Sequence, residues 1–282
     1  MSSPSASGMS HRRFSAVADP SRWLERVISK DGTSIAYERL GAGDPVILTA
    51  GATVDRSALA GLAERLAKRF AVFNYDQRGR GDSGDSEAYA PEREVEDIAA
   101  VIDAAGRPAH LFGSSSGAAL VLLAAASDLA VRKLALWEPP FVLDDGTPRP
   151  PLDGTAVYRR LSAEKRRGDA VAFFMTRAVG LPPEFAAQAR SSPAWAELEE
   201  ARVRLAYDAE IMGDYSLPKQ RAAQVTASTL VLSGDASFGF LTATALALAR
   251  ALPDGQACTL EGQTHDVDAD VLAPVLAEFF AG

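Results

Sequence analysis

Gly113-Ser114-Ser115-Ser116-Gly117 joins two apolar runs, Ala109 to Phe112 before it and Ser116 to Ala126 after it. The first run is short and ends at a glycine, which predicts a buried strand; the second is long enough for a helix. A Gly-x-Ser-x-Gly stretch between a strand and a helix is the setting of a nucleophile elbow. The turn is so tight that its central serine takes a strained backbone conformation, and bulky side chains beside it would clash. Glycines on both flanks relieve that crowding and lift Ser115 above the carboxyl edge of a sheet. The helix behind it aims its first amides, and the positive end of its dipole, at the same point. Five residues alone would also fit a Ser/Gly-rich loop that binds a phosphate or nothing. The strand–turn–helix setting favours the nucleophile.

The same alternation extends in both directions. Trp23 to Ser29 and Ser34 to Leu40 read as strands joined by a hairpin turn at Asp31-Gly32. Val46 to Leu48 is a short buried strand, and Leu59, Leu62 and Leu66 mark one face of a following helix. Phe70 to Tyr75 is a strand that stops at the turn-rich segment Asp76 to Ser83. Pro91 opens a helix to about Ala105, with Glu92, Glu94 and Glu96 near its start, where proline and acids both suit a helix N-terminus. Strands follow at Leu134 to Trp137, Leu230 to Leu232 and Ala257 to Leu260, with helices near Thr242 to Ala251 and on to Phe280. Strands alternating with helices imply a parallel sheet with right-handed crossovers and helices on both faces. Pro148 to Tyr215 breaks the pattern: it has no convincing strand and reads as helical, for example at Ala156 to Arg167 and Asp169 to Val179. The organisation expected is a tail at 1–18, an α/β core at 19–142 and 217–282, and a helical cap at 143–216.

Composition narrows the function. The 282 residues are 47% apolar and 23% charged, enough for a core that needs no covalent staples. Cys258 is the single cysteine, which excludes an internal disulfide framework and multi-cysteine zinc or iron–sulfur sites. With His11, His110 and His265 as the only histidines, a His-rich metal centre is excluded too. The net charge of −8, with both signs interspersed, offers no footprint for nucleic acid. No apolar run approaches the ~20 residues of a membrane span. Residues 1–18 are rich in Ser and Ala and carry Arg12 and Arg13 without an apolar stretch between charges and cleavage site, so they read as a disordered tail and not a secretion signal. The expectation is a cytoplasmic protein with a small-molecule substrate, no cofactor, no metal, and no nucleic-acid or membrane partner. The oligomeric state is not set by the sequence.

Three further segments accompany the elbow in order: Thr49-Ala50-Gly51-Ala52 after the third strand, the loop Asp76-Gln77-Arg78-Gly79-Arg80-Gly81-Asp82-Ser83, and Gly262-Gln263-Thr264-His265 after the last strand. Together they resemble the α/β-hydrolase fold family over nearly everything after the tail. The loop is similar to that family's Asp-x-Arg-Gly-x-Gly-x-Ser, and the last segment to its Gly-x-x-His. The resemblance implies a mostly parallel eight-stranded sheet flanked by helices, with a helical cap after strand 6. It implies Ser115 as nucleophile and His265 as the base that takes its proton. It also implies an oxyanion hole formed by the backbone N–H groups of Ala52 and Ser116. Ala50 stands where many members carry histidine, which leaves both amides in place.

The third member of the triad departs from the pattern. The family's aspartate usually lies three residues after the glycine ending the seventh strand; here that glycine is Gly234 and the position is Ser237. A hydroxyl can orient an imidazole but cannot stabilise its cation as a carboxylate does. Asp235 reads as a turn residue, and Asp266 is too close to His265 in sequence for triad geometry. Glu138, ending the sixth strand, lies one strand away across ~4.8 Å and has the longer side chain. Pro139 is expected to hold it extended. Glu138 is therefore the expected acid. Arg78 and Asp82 are expected to organise their loop, and Cys258 to be a buried small hydrophobe. Phe173, Phe174, Met175, Trp195 and Tyr207 either line an apolar pocket or pack the cap's helices. The function implied is a cofactor-free serine hydrolase acting on an ester, lactone or related acyl bond of a small, partly apolar molecule. Serine in place of aspartate at the elbow argues against epoxide hydrolysis and dehalogenation. Two alternatives remain open at this level: a non-hydrolytic lyase, cyclase or perhydrolase on the same fold, or a non-catalytic small-ligand-binding protein.

Overall fold

A computed structural model describes residues 23–86, 88–143, 149–192, 195, 199 and 204–282; the tail read at 1–18 lies outside them. The strands are β1 (Trp23–Ile28), β2 (Ser34–Leu40), β3 (Pro45–Thr49), β4 (Ala71–Tyr75), β5 (Ala109–Ser114), β6 (Val131–Trp137), β7 (Ser228–Gly234) and β8 (Gly255–Leu260). They form one sheet in the order β1-β2-β4-β3-β5-β6-β7-β8. The β1–β2 and β2–β4 pairings are antiparallel and all others parallel. The β1–β2 hairpin closes at Asp31-Gly32 as read from the sequence, with the Ser29 amide donating to the Thr33 carbonyl at 2.8 Å.

The helices that cover the sheet are α1 (Ala60–Leu66), α2 (Pro91–Ala105) and α3 (Ser116–Ala125), with two more near the C-terminus. Between β6 and β7 the described residues hold helices and no strand: α4 (Gly154–Ala163), α5 (Arg167–Phe173), a π-helical turn at 174–178, α6 (Pro183–Arg190), α7 (Leu205–Met212) and the short α8 (Lys219–Ala222). The chain ends with α9 (Gly239–Ala251) and α10 (Ala269–Ala281), on either side of β8.

Side chains alternate across each strand, so the sheet has two apolar faces. On one, Ile47, Phe73, Leu111, Leu136 and Val231 pack against α2, α3 and α9. On the other, Leu48, Val72, Phe112, Trp137 and Leu232 pack against α1 and α10. The central strands β3 and β4 are buried throughout, whereas the edge strand β1 exposes Trp23 and Ile28. Cys258 differs from expectation: β8 is the other edge of the sheet, so its side chain is half-buried.

Two details of the segment between β6 and β7 bear on the site. Its ends meet: Val142 bridges Ser216 in parallel fashion, and the Val142 amide donates to the Tyr215 carbonyl at 2.7 Å. Inside it, Tyr158, Leu161, Ala170, Leu205, Ala206 and Ala209 form a separate apolar cluster, while Ile211 and Met212 of α7 join the core beside α3. The helix expected over Ala156 to Arg167 stops earlier. Lys165 takes φ 56°, and the Lys165 and Arg166 amides donate back to the Ser162 and Leu161 carbonyls at 3.0 and 2.8 Å. That pair of bonds is the Schellman stop, made here without the glycine that usually announces it.

Candidate active site

The turn after β5 is where the sequence reading placed it. Ser115 has φ 56° and ψ −124°, a conformation that costs a non-glycine residue ~1–3 kcal/mol. Its amide donates to the carbonyl of Trp137 at 2.8 Å, which fastens the turn to the end of β6. Close packing explains both flanking glycines. A Cβ on Gly117 would lie 2.3 Å from the Ala50 carbonyl oxygen, and one on Gly113 would lie 2.4 Å from the Gly117 carbonyl oxygen. The first turn of α3 can therefore press against the end of β3. The loop after β3 in turn lies over the serine, since a Cβ on Gly51 would come within 3.0 Å of Ser115 Cβ.

Glu138 directly follows β6, and its side chain is 0% exposed. Its carboxylate has three partners: Oε1 accepts from the Gly234 amide at 2.8 Å, and Oε2 accepts from Ser237 Oγ at 2.9 Å and lies 2.6 Å from His265 Nδ1. The structure thus brings Glu138 and His265 together across the β6–β7–β8 edge. The expected extended backbone is not found: Glu138 has φ 43°. Its amide donates to the Leu232 carbonyl of β7 at 2.9 Å. That bond and the three on the carboxylate outweigh a cost of ~1–3 kcal/mol, because bonds to an ionised group are each worth ~1.5–3 kcal/mol.

His265 has a side chain 41% exposed, and its carbonyl accepts from the Trp137 indole N–H at 3.0 Å. Trp137, fully buried, so touches both the elbow through its carbonyl and the histidine loop through its ring. Sequence reading took Trp137 only as the end of a strand. Ser237 likewise reads as a lost acid, but its hydroxyl donates to Glu138. Asp235 accepts from the Gly262 amide at 2.6 Å, and Asp266 is exposed.

The loops beside the elbow are held by buried charges. Arg78 is fully buried, and its guanidinium forks onto Asp97 at 2.7 and 2.8 Å and reaches Asp31 at 2.8 Å. It therefore ties its loop to α2 and to the hairpin, a longer reach than the local role expected of it. The Asp82 carboxylate also reaches beyond its loop, accepting from Arg56 Nη2 in the segment after β3 at 2.8 Å. Arg80 donates to the carbonyls of Gly51 and Val54 at 2.7 and 3.2 Å and to Asp208 Oδ1 at 2.8 Å. The same Asp208 oxygen accepts from Ser116 Oγ at 2.8 Å. Neither Arg80 nor Asp208 was singled out from the sequence for the site, because their contact spans 128 positions. Burial pushes the neighbouring Glu94 carboxyl up to about 7, and it accepts from Tyr89 Oη and Gln77 Nε2 at 2.8 and 3.0 Å.

The remaining candidates have other partners. His110 lies near the amino end of β5, opposite Ser115, with its ring 4.7 Å from that of Phe280. Of the aromatic residues between β6 and β7, Phe173 packs edge-on against Tyr158 at 5.2 Å, Tyr207 stacks on Tyr89 at 3.5 Å, and Trp195 donates to Glu199 at 2.7 Å. The Phe173–Tyr158 contact packs the segment internally, whereas Tyr207 packs outside it, on Tyr89 just before α2. Among the described residues no group of three or more His, Cys, Asp or Glu side chains could hold a metal ion, and no helix is long and apolar enough to cross a membrane.

With the sheet order, the strained serine and the Glu138–His265 pair in view, similarity to known proteins has a physical counterpart. The sequence profile described as the alpha/beta hydrolase family matches residues 46–275, and the chain belongs to that family. It is 51% identical to an alpha/beta hydrolase from Sphaerobacter thermophilus, whose crystal structure superposes with a TM-score of 0.85 over 91% of this chain and 100% of that one. A thermophilic esterase from Thermogutta terrifontis shares the fold at 21% identity, with a TM-score of 0.70 over 92% and 98% of the two chains. A curated relative from Bacillus subtilis, the uncharacterized hydrolase YraK, is 32% identical over 105 residues. That match covers 36% of this chain and 37% of the relative. Membership of that family supports hydrolase activity.

Proposed function

We propose that the protein is a serine hydrolase that cleaves an ester, lactone or related acyl bond of a small, partly apolar molecule without a cofactor. The observation that carries the reading is the buried Glu138 carboxylate 2.6 Å from His265 Nδ1, on the same edge of the sheet as the strained Ser115. With Nδ1–H donating to Glu138, the imidazole is left with Nε2 as its acceptor, the tautomer a general base needs. Ser115 Oγ loses its proton to Nε2 as it attacks the acyl carbon. The amides of Ala52 and Ser116 hold the oxygen that becomes negative, and Glu138 stabilises the imidazolium. His265 then returns the proton to the departing alcohol. A water, activated by the same base, splits the acyl-enzyme into acid and free Ser115. Residues 143–216 form the cap over this reaction, with the α/β core at 19–142 and 217–282.

The test is intact-mass analysis after treatment with a fluorophosphonate. A single adduct, absent in Ser115→Ala and His265→Ala, is the expected result. A folded wild-type protein that takes no adduct would overturn the serine reading in favour of non-hydrolytic chemistry or simple ligand binding.

A further inference from the structure

We infer that Arg80 and Asp208 are positioning residues that set the two oxyanion amides, so that the helical segment between β6 and β7 seats the oxyanion hole. The inference rests on the serine-hydrolase reading above and adds to it how the hole is held.

The first half of the argument is peptide geometry. The Gly51 carbonyl and the Ala52 N–H belong to one planar trans peptide unit and point in opposite directions. Arg80 Nη1 holds that carbonyl at 2.7 Å, so it also fixes where the Ala52 N–H points. Without such a hold this peptide is free to flip, because glycine on one side accepts either orientation. One residue beyond Ala52, Thr53 already sits at φ 72°, so the loop does not rest in a relaxed conformation. The second Arg80 bond, to the Val54 carbonyl at 3.2 Å, closes the same loop from its other end.

The second half is the anchor. Arg80 and Asp208 are both buried, where an ion pair holds its geometry only if its remaining hydrogen-bonding groups are satisfied. Here a single oxygen, Asp208 Oδ1, accepts from Arg80 Nη2 and from Ser116 Oγ, each at 2.8 Å. Ser116 is the first residue of α3, where the amide has no upstream carbonyl in its own helix. One carboxylate on α7 therefore joins the residue that presents one amide to the arginine that orients the other. The chain Ala52–Gly51–Arg80–Asp208–Ser116 spans four separate segments and closes around Ser115.

The test compares kcat and KM for 4-nitrophenyl acetate and for its thionoacetate analogue in wild type, Arg80→Lys, Asp208→Asn and Ser115→Ala. Sulfur accepts hydrogen bonds weakly, so the ratio of oxo to thiono turnover reads the oxyanion hole and not the fold. Lysine keeps the charge of Arg80 but cannot fork between Gly51 and Asp208. Arg80→Lys is expected to lower kcat on the oxoester by roughly 100-fold, the usual effect of losing one oxyanion donor. KM should stay within about threefold, and the oxo/thiono ratio should fall at least tenfold. Asp208→Asn keeps size and an acceptor oxygen, so a fall of about threefold in the ratio is expected; it carries the test if Arg80→Lys does not fold. A folded Arg80→Lys or Asp208→Asn protein with the wild-type ratio overturns the inference alone. Turnover that survives Ser115→Ala, or a wild type that acylates with neither ester, overturns the serine reading and this inference with it.

Discussion

Replacing Glu138 with glutamine tests the site most directly. The carboxylate accepts three hydrogen bonds, from the Gly234 amide, Ser237 Oγ and His265 Nδ1. A glutamine amide has one oxygen and one NH2. The Gly234 amide can only donate, so the oxygen must face it and the NH2 must take the Oε2 position. Ser237 can turn its hydroxyl to accept. His265 cannot adapt without cost: Nδ1 has to become the acceptor, which moves the ring proton to Nε2 and removes the base. The loss of charge also leaves the imidazolium of the transition state unsupported. Wrong tautomer and lost charge together are worth a ~10⁴-fold fall in kcat, or ~5 kcal/mol of activation free energy. Ser237→Ala removes one bond to the carboxylate and is expected to cost about tenfold. Asp235→Asn, whose carboxylate meets only the Gly262 amide, should change kcat by no more than about threefold. The assay is steady-state release of 4-nitrophenolate with melting curves on each variant. Folded Glu138→Gln protein within tenfold of wild type, or Asp235→Asn more damaging than Glu138→Gln, would refute the assignment.

Three other outcomes follow from the packing. Burial holds His110 at a pKa of about 4 against 6.5 when exposed, and neither ring nitrogen has a hydrogen-bond partner among the described residues. The unfolded chain therefore binds the proton first, so stability present above pH 6.5 is lost as pH falls toward 4. His110→Phe should shrink the stability difference between pH 7.5 and pH 5 by about 2 kcal/mol in urea titrations. The opposite slope from Glu94, whose raised pKa of about 7 weakens folding as pH rises, is common to both proteins and cancels. An unchanged difference would refute the account of His110. Gly117→Ala drives a methyl to 2.3 Å from a backbone oxygen, which cannot give way, and should cost about 3 kcal/mol of stability; a loss below about 1 kcal/mol would show that the elbow has slack. Lys165→Gly removes the positive-φ penalty at φ 56° and should stabilise by about 0.5–1 kcal/mol, read as a rise in melting temperature.

Much of this was legible in the sequence because it depends on local rules. The alternation of buried strands with helices yields the sheet, and α2 begins at Pro91 as its proline and acids predict. The elbow is readable because its glycines answer a steric demand within five residues. The Glu138–His265 contact is readable because β6, β7 and β8 are neighbours and a glutamate side chain is long enough to span them. What stays hidden is set by distant contacts. The left-handed backbone at Glu138 depends on β7 accepting its amide, and Pro139 alone argues the other way. The stop at Lys165 lacks the glycine that would announce it. Trp137 and Asp208 look like ordinary core and helix residues until the fold brings His265 and Arg80 to them.

The Val142–Ser216 bridge has a bearing on descent. The chain leaves and rejoins the sheet side of the fold at Val142 and Ser216, one bridge apart, so lengthening a surface loop between them need not pull the strands apart. A segment joined in this way tolerates changes of length better than one threaded between strands. The buried Arg80–Asp208 pair qualifies that freedom. A donor segment lacking an acid on the helix that meets α3 would strand a charge in the core, and one lacking apolar side chains where Ile211 and Met212 enter it would leave a void, so the exchange carries two inherited conditions.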